Sequence, residues 1–149
     1  MKKLVLVLCL LVSLPVLSIK FHLFGMSEAN EKINTKVNLI KKSLTKSGFK
    51  VNWVIISEKR SKLFNSILPN SAKKSHHLDG NAIDVWIIDI DGDNVFTQKD
   101  LDIVKYHNNL VERRNPSLKG AFGTYTTKSE LTKRMIHFDT RGYHLIYNH

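Results

Sequence analysis

Two short stretches of the chain place histidines and acids at spacings suited to metal chemistry. The first reads Ser75-His76-His77-Leu78-Asp79-Gly80-Asn81-Ala82-Ile83-Asp84. Gly80 lets the backbone turn sharply after His77. Ala82 and Asp84 then point to one face of a strand, because side chains alternate. The small Ala82 leaves room beside Asp84 for an ion and a substrate, and an imidazole and a carboxylate brought together this way can hold zinc. The second stretch, His137-Phe138-Asp139, offers the third ligand. His137 and Asp139 share a face there, with Phe138 turned to the core. Two histidines and one aspartate leave a fourth position for water, which is the catalytic rather than the closed structural type of zinc site. The competing account is a buried polar network without metal, which has to satisfy costly buried carboxylates. His76 competes with His77, but alternation turns it away from the site. His144 and His149 read as surface histidines, with His144 able to hydrogen-bond a substrate.

A second candidate metal site follows the same strand. Asp89-Ile90-Asp91-Gly92-Asp93-Asn94-Val95-Phe96-Thr97-Gln98-Lys99-Asp100 resembles an EF-hand or dockerin calcium loop. Oxygen ligands from Asp89, Asp91, Asp93, Thr97 and Asp100 fall at positions one, three, five, nine and twelve, and a helix follows. Position six is Asn94 instead of Gly, position twelve is Asp instead of Glu, and a strand rather than a helix precedes the loop. A solvated acidic turn leading into a capped helix is the favoured alternative.

These residues need elements to position them. Ser27 can cap a helix in which Ile33, Val37, Ile40 and Leu44 form one apolar stripe. Lys32, Lys36, Lys42 and Lys46 then occupy a solvated flank and far face, and Gly48 closes the helix. Val51 to Ser57 reads as a strand. Glu58 to Ser75 is polar and irregular, with a turn at Pro69-Asn70. Ala82 to Ile90 is a strongly apolar strand. Thr97 and Asp100 start a second main helix with a capping box, Leu101, Val104 and Val111 continue it, and it ends before Pro116. Gly120 to Thr127, Met135 to Thr140 and Tyr143 to Tyr147 read as further strands, the last pair forming a closing hairpin at Gly142. The expected class is α+β, a small antiparallel sheet packed with two main helices.

Composition narrows the classes. With 149 residues, one domain is expected. The apolar share of 42% suits a packed core and excludes a disordered chain. Cys9 is the single cysteine, so internal disulfides and thiolate zinc sites are excluded. Lys2 and Lys3 precede an apolar run from Leu4 to Leu17, the n- and h-regions of a signal peptide. The expected organisation is a signal at 1–18, with an uncleaved N-terminal anchor as the alternative, a linker at 19–27 and one domain at 28–149. Removing Lys2 and Lys3 lowers the formal charge from +10 to +8. That balance points to an anionic cell-wall surface as partner in an exported compartment, periplasm or cell exterior. The basic residues are scattered and no nucleic-acid motif is present, so no nucleic-acid partner is expected. A monomer is expected.

The pattern S-x-H-x-x-G-x-A-x-D at 75–84, followed by H-x-D-x-R-G at 137–142, resembles peptidase family M15, and within it the small single-domain subfamily A. These are zinc D-alanyl-D-alanine carboxypeptidases and related peptidoglycan endopeptidases with the Hedgehog/DD-peptidase fold. The resemblance runs over Val51 to Tyr147. It implies His77, Asp84 and His137 as zinc ligands and peptidoglycan peptides as substrate. The family also carries an arginine in a Y-R-S segment, matched here by Arg60 of Lys59-Arg60-Ser61 without the aromatic. Such an arginine holds a substrate carbonyl or carboxylate and stabilises an oxyanion. Ser75 matches the motif serine and is expected to orient the loop or a ligand. Many relatives have an acid three residues before the last histidine, where this chain has Arg134. Asp139 is therefore the expected general base, with Glu130 next, although Asp139 can equally pair with Arg141 or cap the turn at Gly142. If neither acid serves, the expectation becomes a non-catalytic cell-wall or protein-binding module on the same fold.

Overall fold

The computed structural model describes residues 26–68, 71–126, 129 and 132–148. The expected signal at 1–18, nearly all of the linker, Pro69-Asn70, Glu130 and His149 lie outside them. The chain order is β1 (Met26–Ser27), α1 (Glu31–Lys46), β2 (Asn52–Ser57), β3 (Lys59–Arg60), α2 (Lys62–Ile67), β4 (Ala82–Asp89), α3 (Gln98–Arg114), a 3-10 turn (Pro116–Leu118), β5 (Ala121–Thr124), β6 (Met135–Asp139) and β7 (Leu145–Asn148). This is an α+β domain with a five-stranded sheet in the order β2-β4-β6-β5-β7. Among the described residues no helix is long and apolar enough to cross a membrane.

Helix α1 buries Ile33, Val37, Ile40 and Leu44, the stripe its spacing predicts. Helix α3 does the same with Leu101, Val104 and Val111. Asp100 accepts from the Thr97 amide at 2.7 Å, so the capping box closes as expected. Both helices pack on one sheet face, where Ile83, Val85 and Ile87 of β4 meet Ile136 and Phe138 of β6 and Phe122 of β5. Since side chains alternate, Ala82, Asp84, His137 and Asp139 occupy the opposite face. Register aligns them, with Asp84 opposite His137 and Ala82 opposite Asp139.

Five expectations need correction. The sheet is mixed rather than antiparallel, because β7 runs parallel to β5. Both edges of β6 are already occupied, by β4 and β5, so the chain after Asp139 cannot fold back on it as a hairpin. It crosses instead through Gly142 N to Lys119 O (2.9 Å) and Leu145 N to Gly120 O (3.2 Å). Ser27 does not cap α1: it pairs with Lys59 in a two-stranded ribbon, and Asn30 stands at the N-cap. The segment after Glu58 contains β3 and α2, the latter capped by Ser61 Oγ accepting from the Phe64 amide. Lys36 is not solvated. It is fully buried, donating to Glu112 Oε1 at 2.6 Å and to the Asp139 carbonyl at 2.8 Å.

Candidate metal centre

Three residues fasten the loop that carries His77. Its carbonyl accepts from the Arg60 amide of β3 at 2.9 Å. Ser75 Oγ accepts from the His77 amide at 3.3 Å. Asn30, just before α1, donates three times, from its amide to Gly80 O (2.8 Å) and from Nδ2 to Asp79 O (2.8 Å) and Asn81 Oδ1 (3.0 Å). Gly80 sits at φ +70°, and a β-carbon there would press on the Asn30 side chain. The motif glycine therefore serves both the turn and the close approach of Asn30.

The ligand atoms of His77, Asp84 and His137 lie within 4.8 Å of one another, and all three residues are buried. His77 Nδ1 donates to the Glu58 carbonyl at 2.7 Å, because a carbonyl can only accept. In the neutral imidazole that leaves the lone pair on Nε2. This atom is buried, lies 3.1 Å from Asp84 Oδ2 and has no partner at hydrogen-bond geometry. The two atoms are near enough for an ion pair yet misaligned for a hydrogen bond. A lone pair facing a carboxylate in a buried place calls for a cation between them. These residues therefore fit a metal ion, and two imidazoles with one carboxylate suit zinc.

His137 lies between two acids. Its Nδ1 is 2.8 Å from Asp84 Oδ1 and its Nε2 is 3.3 Å from Asp139 Oδ2. Burial pushes its pKa down, but the bonds to Asp139 and Asp84 outweigh that and raise it to about 9. Burial pushes the Asp84 carboxyl up, and contacts from His137 and His77 overcome it to hold the group well below the usual carboxylate range. Arg60 reaches the same centre, its guanidinium bonded to Asp84 Oδ2 and, through Nε, to Ser57 Oγ at 2.7 Å.

Asp139 is more committed than a free base. It is fully buried. Arg141 grips it from Nε at 2.9 and 3.1 Å and from Nη2 at 2.5 Å, and the Ala121 amide donates at 2.7 Å. The pairing with Arg141 weighed on sequence grounds is the one present. Arg134 does not line the cavity over the centre; its guanidinium lies 4.9 Å from the Phe96 ring centroid and 5.8 Å from that of Trp86. His76 lines the cavity without entering the ligand cluster. His144 is far from free, its Nδ1 being 2.6 Å from Glu112 Oε2.

Sequence reasoning missed Tyr125 and Tyr147, which line this cavity of about 490 Å³. The Tyr147 ring centroid is 6.1 Å from that of His137. Gly123 makes this arrangement possible: it stands opposite His137 in β6 and Tyr147 in β7, and a β-carbon there would overlap the tyrosine ring. A glycine inside a strand signals such a close approach. Burial pushes the Tyr125 phenol up to about 12, so it stays protonated near neutral pH.

The acidic loop is a different case. Asp89, Asp91 and Asp93 also bring ligand atoms within 4.8 Å. Asp100 does not join them, since Oδ1 accepts from the Ile90 amide and Oδ2 from the Thr97 amide. The expected twelfth calcium ligand is thus a helix cap. Asp91 pairs with Lys99 at 2.8 Å, and Asp89 accepts from the amides of Gly92 and Asn94. No family model, curated protein or solved structure matches the chain.

Proposed function

We propose that the chain is a zinc-dependent metallopeptidase of the M15 type, with the Hedgehog/DD-peptidase fold, hydrolysing peptidoglycan stem or cross-link peptides outside the cytoplasm. The observation that carries this reading is the convergence of His77 Nε2, Asp84 and His137 Nδ1 in one buried cluster, with the His77 lone pair unpartnered and facing a carboxylate. His77, Asp84 and His137 would hold the ion. Zinc, when bound, polarises a carbonyl and lowers the pKa of water toward neutrality.

The remaining roles fall to the chain's own groups. The Glu58 carbonyl fixes the His77 tautomer, and Asp139 orients His137 through Nε2, as carboxylates commonly do for ligating histidines. The Arg60 guanidinium, at the cavity wall, binds a substrate carbonyl or carboxylate and stabilises charge that develops on oxygen. The Tyr125 and Tyr147 phenols, hydrogen-bonded to each other, complete the same wall. Asp139 is the first acid the sequence offers for proton uptake from the attacking water and Glu130 the second; because Asp139 is held by Arg141, removal of Glu130 is the variant that tests the second assignment. Glu130→Gln then lowers kcat by about a hundredfold or more while zinc content stays unchanged.

A second reading, a non-catalytic binding module, is favoured by two contacts: Asp139 is committed to Arg141, and Arg134 stacks on Phe96 at the position where relatives carry an acid. Metal analysis combined with digestion of purified muropeptides separates the two. Zinc with a cleaved product, located by mass spectrometry, supports the peptidase and names the bond. Zinc without product sinks it.

A further inference from the structure

Next to the cavity over the metal centre lies a groove of about 700 Å³, and the two share Arg60, Lys74, Ser75 and His76. One wall carries Lys59 of β3 and Lys62 of α2; the other carries Lys73 and Lys74 of the loop before Ser75. The walls are tied together, because Asn65 Nδ2 of α2 donates to the Ala72 carbonyl at 3.0 Å. Asp79 is the one acid in the lining. Two lysines outside the groove are ion-paired, Lys36 to Glu112 and Lys99 to Asp91. Among the described residues no ion pair involves Lys59, Lys62, Lys73 or Lys74. Uncompensated charge of one sign along a concave surface concentrates an oppositely charged ligand there.

We infer that this groove is a specificity subsite for acidic peptides, in which Lys59, Lys62, Lys73 and Lys74 take carboxylates that flank the bond held over the metal centre on one side. The inference rests on the peptidase reading for the identity of the ligand as a peptide; the groove and its charge stand apart from it. Arg60 marks the junction. On its cavity side it faces Asp84, and on its groove side the chain offers cations in succession. A peptide spanning both places its reacting amide at the centre and its charges among the lysines. Lysine, a compact and flexible cation, suits carboxylates of variable position better than one fixed bidentate partner.

The experiment uses the zinc-loaded full chain and pairs of fluorescein-labelled pentapeptides that differ only in Glu against Gln. Fluorescence anisotropy is expected to give the acidic peptide a Kd about tenfold lower in dilute salt, with the advantage shrinking as ionic strength rises. The double variant Lys62→Glu/Lys73→Glu, at two exposed positions, is expected to erase the advantage and leave zinc content and melting temperature unchanged. Equal affinity for the twins, or an advantage that survives the double variant, overturns the subsite. Inorganic polyphosphate displacing the acidic peptide at far lower concentration, and itself weakened by the variant, reassigns the groove to a phosphate polymer and overturns it too. His77→Ala separates the failures: loss of zinc with charge discrimination retained supports the subsite. A wild-type chain without zinc sinks the peptidase reading alone.

Discussion

Strand β4 carries a candidate ligand cluster at each end, and the two behave differently. Asp84, near its start, meets His77 and His137; Asp89, its last residue, meets Asp91 and Asp93. Both clusters satisfy the same proximity, 4.8 Å between ligand atoms. At the first, all three residues are buried and a histidine lone pair faces a carboxylate without a hydrogen bond. At the second, Asp91 and Asp93 are not buried, and backbone amides and Lys99 already occupy their oxygens. The lesson is that closeness alone does not identify a metal site. What separates them is lone pairs that the protein itself leaves unsatisfied where water cannot reach.

The strongest way to break this comparison is to remove one residue from each cluster. His77→Ala is expected to abolish stoichiometric zinc and hydrolysis together, whereas Asp93→Ala leaves both intact; elemental analysis and a muropeptide digest read the outcome. Zinc retained by His77→Ala would overturn the ligand assignment. Asp139→Asn comes next, lowering zinc affinity by about ten- to a hundredfold through a loosened His137. Calorimetric competition with a chelator measures it. Asp100→Ala, at the other cluster, is expected to cost about 1 kcal/mol of stability by removing the helix cap, with no change in zinc. Chemical denaturation provides the number. The smallest effect is calcium itself: micromolar calcium added to the zinc-loaded chain is expected to give no heat and no shift in melting temperature. A calcium-dependent rise would place the acidic loop alongside the histidine centre and dissolve the contrast.

Local rules made much of the centre readable. Gly80 marked the turn, strand alternation put Ala82 beside Asp84, and the same alternation put His137 with Asp139. Those are near-neighbour constraints, and near neighbours are what a sequence displays. The capping role of Asp100 was equally local. Long-range partners were not visible. Lys36 lies on the buried side of α1, three residues after Ile33, but the acid that permits its burial is Glu112, seventy-six residues away. Strand β7 has the composition of any short strand; its parallel pairing follows from which edges β4 and β5 had already filled. Arg134 reads as a missing base from one position alone, while its stacking on Phe96 depends on where another loop passes. Tyr147 was hidden by the same distance, although Gly123 hinted that something comes close there.

The way Asn30 clasps the Gly80 turn has a kinetic consequence. That clasp joins residues 49 apart in sequence, and the meeting of Asp84 with His137 joins residues 53 apart. No hairpin or single helix of this chain contains the centre in miniature. Closing loops of that length comes late in folding, after local helices and turns have formed. An ion held by His77, Asp84 and His137 would be captured only once the whole sheet is complete, so its loading would serve as a clock for the last step of folding rather than as its trigger.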